Sequence, residues 1–277
     1  MKGIDISEHQ GEINWDAVRG VDFVMLRAGY SQGNIDKQFV RNIGACNRLG
    51  IPCGVYWFSY AYTEDMARRE AEHCLKAVAP YKLALPVAFD WEYESCNWAV
   101  KQGVKPTRAL ATAMCHAFCG TVKAAGLTPM NYTNPDYLNQ FYDETTLSYP
   151  LWLAQWATAI TYQNPKADIW LWQYGLASVT GFSREVDGNV GYINLEEDTS
   201  MENADARYEA FKAHMELYLA ELAAQEPGGW SETERNWAVA QGIIQGDDRG
   251  RLRWKSPITR EEYAVTEYRQ ATTDTFS

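Results

Sequence analysis

Short apolar runs recur along the first two thirds of the chain, and almost every one closes on a polar or aromatic group. β-rich stretches fall at 3–6, 23–28, 53–58, 86–90, 130–133, 151–155, 169–174 and 185–190. Runs of this length, bounded by turn residues, predict strands. Helical stretches lie between the early ones. Thr63, followed by Glu64 and Asp65, opens a helix running toward Val78; Pro106 and Thr107 open another toward Ala125. Asn134 before Pro135 reads as an N-cap with proline at the first helical position. The last three strand signals follow one another with less helix between them.

Eight strands, at first alternating with helices, fit either a (β/α) barrel or a doubly wound sheet. The strand ends choose between them. They carry Asp5, Arg27, Tyr56, Asp90 with Glu92, Tyr132 with Asn134, Gln155 with Trp156, Gln173 and Asp187. A barrel gathers such groups on one face, whereas a doubly wound sheet concentrates them at one switch point. No glycine-rich phosphate loop follows the first strand. The expectation is an α/β fold: an irregular (β/α) barrel of about eight strands, with helices missing near its end. Closure then makes the first and last strands neighbours and brings Asp5, ending the first, beside Asp187, ending the last.

After about Asn194 the composition shifts. Residues 196–226 are rich in Glu and Ala and predict one long helix, broken at Pro227-Gly228-Gly229. The expected organisation is a barrel over 1–195, a linker helix over 196–229 and a small α-helical module over 230–277. Along the linker, Met201, Ala204, Tyr208, Phe211, Met215, Tyr218 and Leu222 alternate three and four apart, an a/d seam of about three heptads. That seam predicts a homo-oligomer, most simply a dimer, held by 201–271. A single amphipathic helix lying on the barrel is the competing reading.

Charge and composition narrow the partners. The net charge is -11 and no Lys/Arg stripe appears, so nucleic acid is not an expected ligand. No apolar run approaches a membrane span, and the N-terminus has no basic segment leading into an apolar one. The expectation is synthesis in a cytoplasm without a signal peptide, and no membrane insertion. Six cysteines are thinly spread inside apolar patterns, as buried thiols are. Cys115, His116 and Cys119 have no second ligand pair at zinc spacing, and the four His form no HxH or HExxH pattern. No metal and no cofactor is expected. The chain is rich in flat side chains, with 11 Trp and 17 Tyr.

The chemistry concentrates in VAFDWEYES, residues 87–95. In a strand, residues i and i+2 share a face about 6.6 Å apart. Asp90 and Glu92 can therefore enter one cavity while Trp91 points away. Two close carboxylates resist double ionisation, so one pKa should rise while the other stays low. A proton donor beside an anion suits glycosidic cleavage; a solvated acidic turn is the bland alternative. Glu94 is read as a solvated charge in the following loop. Tyr56, Tyr132, Trp156 and Trp172 offer stacking surfaces for sugars, unless Trp172 faces outward.

The ordered segments GIDISEHQGEINW, FVMLRAGY, GVYWFSYA, PVAFDWEYES, MNYTNPDYL, LWLAQW, LWQYG and EVDGNV, spanning about 3–195, resemble glycoside hydrolase family 25, the muramidases of bacteria and their phages. The resemblance implies hydrolysis of the β-1,4 bond from N-acetylmuramic acid to N-acetylglucosamine in peptidoglycan glycan strands. It implies Glu92 as general acid, Asp90 as transition-state stabiliser, and Asp5 and Asp187 completing an acidic floor. Tyr56, Tyr132, Arg27, Gln155 and Trp156 would bind substrate. Acetamido participation with retention, direct attack by Asp90, and inversion through water all remain open. So do two other functions, a non-catalytic wall-sugar binder and an N-acetylhexosaminidase acting on a chitin-like polymer. An endolysin acting on the bacterial cell wall after release is the simplest setting.

The tail segment WAVAQGIIQGDDRGRLRWKSPITREEYAVTEYR, 237–269, resembles an S-layer homology repeat, present in one copy. The resemblance implies two helices and a loop, with secondary cell-wall polysaccharide as a possible partner.

Overall fold

Among the residues described, nine strands form one sheet that closes on itself: β1 (Lys2–Ile6), β2 (Phe23–Tyr30), β3 (Asn34–Ile35), β4 (Cys53–Phe58), β5 (Val87–Asp90), β6 (Pro129–Thr133), β7 (Leu151–Ala154), β8 (Ile169–Ala177) and β9 (Val186–Gly191). The computed structural model describes residues 1–193 and 232–244. The chain divides into two units, Met1–Tyr208 and Glu209–Ser277. The linker-helix seam and the tail beyond Ile244 lie outside the described residues, and with them the expected self-association.

Neighbouring strands run in the order β1-β9-β8-β7-β6-β5-β4-β2-β3, and a pairing of β1 with β2 joins the ends. Eight strands thus make the barrel wall, with the short β3 appended to β2. The β1–β2 and β2–β4 pairs and those from β4 to β8 are parallel. Of the eight wall strands β9 alone reverses, antiparallel to both β8 and β1, and the appended β3 runs antiparallel to β2.

Helices α1 (Phe39–Leu49), α2 (Glu64–Val78), α3 (Tyr93–Lys101), α4 (Arg108–Ala124) and α5 (Pro135–Gln140) fill the early connections. The described connections from β7 to β8 and from β8 to β9 carry none, as the sequence pattern predicts. Three starts are fixed by side-chain caps. The Thr63 hydroxyl accepts from Met66 N (3.2 Å), that of Thr107 from Leu110 N (3.2 Å), and Asn134 Oδ1 from Tyr137 N (2.9 Å). Each such cap is worth about 1 kcal/mol.

Alternation along the strands sorts the core into two layers. Phe23, Met25, Ala88, Met130, Trp152 and Leu171 point inward and, with Leu85, fill the barrel. The intervening Val24, Leu26, Val55, Phe89 and Leu153 point outward under the helices, against Ala71, Cys74 and Phe118. Phe23 can plug the floor because its neighbour on β1 has no side chain. A Cβ on Gly3 would lie 2.2 Å from the tip of the Phe23 ring. With the floor filled, the barrel opens where the parallel strands end.

Cys115 and Cys119 on α4 are buried free thiols. Between them His116 turns elsewhere, with Nδ1 at 3.1 Å from the Tyr149 hydroxyl and Nε2 at 2.7 Å from that of Thr145. No helix among the described residues is long and apolar enough to cross a membrane. In the second unit, α6 (Glu232–Ala240) ends through Gly242 at φ 68°, and Ile243 N donates back to Ala238 O. That left-handed position favours glycine.

Candidate active site

A cavity of about 640 Å³ opens at the C-terminal ends of the parallel strands. Asp5, Arg27, Tyr56, Asp90, Tyr132, Gln173 and Asp187 all line it, because each occupies an inward position of its strand. Asp187 arrives by a different route from the one expected. It does not end the last strand; it is the second residue of β9. Because β9 runs backward, its start lies at the mouth. The register pairs Asp187 directly with Asp5 across the closing seam. Opposed residues of an antiparallel pair have Cα atoms about 4.5–5.5 Å apart.

Asp90 is the last residue of β5, and the backbone stays extended through Glu92 (φ -136°, ψ -160°), the N-cap of α3. The two-residue period therefore survives past the strand, and both carboxyls enter the cavity. Trp91 turns the other way into the core, where its Nε1 donates to Ala61 O (3.1 Å). The turn is held by Glu92 N donating to Ser95 Oγ (3.2 Å) and Ser59 N donating to Asp90 O (2.7 Å). Glu94 does not sit in a loop. It occupies the first turn of α3, exposed yet lining the cavity, and accepts from the Tyr60 hydroxyl at 2.6 Å.

The four acids share one low-dielectric mouth, and burial is the first cause of every shift there. Burial and the neighbouring Asp187 charge raise Asp5 to about 7, against hydrogen bonds from Gln173 Nε2 (3.0 Å) and Asn189 Nδ2 (2.7 Å). Asp90 is pushed well above the ordinary carboxylate range by burial, then by Glu92 and Asp5, with Arg27 opposing. Its Oδ1 is buried and receives no hydrogen bond from the protein. Glu92 is raised by burial, then by Glu94 and Asp187; Asp187 is raised by burial. The expectation that one acid of the pair stays low therefore fails. Desolvation outweighs the pair repulsion that would have split them, so both rise.

The remaining candidates separate. The Tyr56 and Tyr132 rings pack edge-on to Trp152, with centroids 5.7 and 4.7 Å away, and burial keeps both phenols protonated. Tyr132 donates to Gln173 Oε1 (3.1 Å), as does the exposed Trp156 through Nε1 (3.2 Å). Arg27 lines the cavity, but its guanidinium is already engaged by Glu8 and Asp36, each at 2.8 Å. Gln155 is not brought to the cavity. Ala154 ends β7, and Gln155 instead braces the next loop, its Oε1 accepting from Thr161 N (2.9 Å). Trp172 faces outward, with Nε1 donating to Gln155 O (2.8 Å).

The glycosyl hydrolases family 25 profile matches residues 4–181. The chain belongs to this family. A curated relative, the autolytic lysozyme of Clostridium acetobutylicum, is 24% identical over 196 residues, covering 70% of this chain and 53% of that protein. The modular autolysin LytC of Streptococcus pneumoniae superposes with a TM-score of 0.62 at 32% identity, covering 69% of this chain and 46% of LytC. A family 25 glycosyl hydrolase from Bacillus anthracis gives 0.58 at 23% identity, covering 71% and 91%. The chain thus spans about half the length of the lysozyme and of LytC.

Several residues that shape this family 25 mouth are not among the candidates read from the sequence. Glu8 and Asp36 hold Arg27 from 19 and 9 residues away. Asn189 anchors both Asp5 and Trp152, accepting from Trp152 Nε1 at 2.7 Å. Strand parity could have found it, since Asn189 lies two residues beyond Asp187. Among the described residues, no group of three or more His, Cys, Asp or Glu is placed to hold a metal ion.

Proposed function

We propose that the protein is a muramidase, hydrolysing the β-1,4 bond from N-acetylmuramic acid to N-acetylglucosamine in peptidoglycan. The observation that carries this reading is the Asp90–Glu92 pair on one extended stretch, facing the Asp5–Asp187 pair across one cavity. Membership of family 25 supports it. So does the likeness, at 31% identity, to LytC solved in complex with a synthetic peptidoglycan ligand.

In this reading Glu92 gives its proton to the leaving oxygen, and burial helps it hold that proton above the ordinary carboxylate range. The sugar's own acetamido oxygen attacks the anomeric carbon as its bond to the leaving oxygen breaks; water, giving a proton back to Glu92, then attacks the same carbon and opens the ring so formed, and the two displacements give net retention. Asp90 Oδ1 accepts the acetamido N–H and faces the positive charge that develops. The incoming N–H donor, together with Arg27, favours the ionised form of Asp90 against burial. Tyr56 and Tyr132 offer ring edges and hydroxyls, and Trp156 an exposed face, for the sugar rings. The test is mass spectrometry of fragments released from purified peptidoglycan. New N-acetylmuramic acid reducing ends are expected. N-acetylglucosamine ends would mean a glucosaminidase, and no release would mean a binding protein.

The proposal extends to the setting. The protein is a phage or prophage endolysin, made in the cytoplasm and acting on the cell wall after release. Its tail contacts secondary cell-wall polysaccharide, and residues 201–271 pair with a second copy, which places two mouths on one polymer. Light scattering of the full chain at tens of micromolar should return a dimer mass; a monomer mass removes the pairing.

A further inference from the structure

Glu94 stands beside the proposed proton donor without a part in the chemistry so far described. Its position is fixed by a relay of contacts that starts two elements away. On α2, the fully buried Glu70 accepts from Ser59 Oγ, from Tyr60 N (3.2 Å) and from Gln32 Nε2 (3.0 Å). That carboxylate pins the turn after β4. The Tyr60 ring rising from this turn packs against two others, its centroid 5.2 Å from that of Phe58 and 5.9 Å from that of Trp98. From that packed position its hydroxyl donates to Glu94 Oε1 at 2.6 Å. Without that bond, an exposed carboxylate in the first turn of a helix would be free to swing into solvent.

We propose that Glu94 is a positioning residue: the Tyr60 hydroxyl holds its negative charge at the mouth, and that charge keeps the proton on Glu92. The inference rests on Glu92 being the proton donor of the proposed muramidase. The other groups facing Glu92 serve this purpose less well. Asp5 from β1 and Asp90 from β5 are buried acids that themselves resist ionisation. Asp187 from β9 is raised in the same way. Tyr132 and Tyr137 are phenols that burial keeps neutral, and the half-exposed Tyr93 is raised by partial desolvation and by its hydrogen bond to Asp136. Arg27 from β2 lines the same cavity with its charge engaged by Glu8 and Asp36. Glu94 lies two residues from Glu92, in the first turn of the helix that Glu92 caps, and lines the same cavity; after burial, its charge and then that of Asp187 raise the Glu92 carboxyl.

The experiment is the pH dependence of kcat/KM on a soluble peptidoglycan fragment, for the full chain and three variants. A proton donor loses activity as pH rises through its pKa, so the alkaline limb reports Glu92. Glu94→Gln keeps the shape and removes the charge. It should move that limb toward lower pH by about one unit, a loss of about tenfold on the alkaline side with little change on the acid side. Glu94→Asp, which restores a charge, should return the limb toward its wild-type position. Tyr60→Phe frees Glu94 and should give a smaller shift in the same direction. An active wild type whose limb coincides with that of Glu94→Gln overturns the inference alone. A Tyr60→Phe limb at the wild-type position removes Tyr60 from it. A wild type that cleaves nothing overturns both the inference and the muramidase reading.

Discussion

Replacing Glu92 with Gln should lower turnover on purified peptidoglycan by about 10²–10⁴-fold while the barrel stays folded. The amide keeps the shape at the N-cap of α3, and the bond holding that turn comes from Glu92 N to Ser95 Oγ, which the substitution leaves intact. What is lost is the proton. Wild-type activity should fall as pH rises through the Glu92 pKa, because the donor must be protonated. The residual activity of Glu92→Gln should lack that alkaline limb. Release of reducing ends, followed across pH, measures both effects. A Glu92→Gln protein with near-normal turnover would place the proton donor elsewhere in the mouth.

Asp90 and Glu92 were legible in the sequence as a pair because extended backbone has an exact period of two, and that backbone persists beyond the strand through Glu92. The Asp5–Asp187 contact was legible from barrel closure, yet the direction of β9 was not. The clue lay in the connection over 178–185, too short for the crossover of a dozen or more residues that a parallel strand needs. Helix α3 was missed because it lacks an apolar stripe. Only Ser95 and Ala99 are buried on it, while Tyr93, Trp98 and Val100 are exposed. Missing that helix put Glu94 in a loop. Gln155 failed on parity, since an inward position at residue 152 points residue 155 outward. The partners of Arg27 come from other parts of the chain, where no local pattern marks them.

Asp90→Asn should reduce kcat by about 10²–10³-fold, the order expected when one charge aimed at a developing cation is removed, and should leave KM for the sugar little changed. Asparagine still presents an oxygen to the acetamido N–H, so the binding contact survives while the negative charge is lost. Asp90 is suited to stabilisation more than to covalent attack. Burial, Glu92 and Asp5 all oppose its ionisation. A nucleophile would need its anion before the sugar reacts, whereas a partner for the acetamido group gains its anion from the N–H donor as the substrate docks. With acetamido attack the intermediate is a ring formed within the sugar, and no bond to the protein forms. Intact-protein mass spectrometry during turnover of a slow substrate distinguishes the two routes. The expected spectrum shows the unmodified chain mass throughout. A glycosyl group trapped on Asp90 would refute acetamido participation and make Asp90 the nucleophile, with retention through a covalent intermediate.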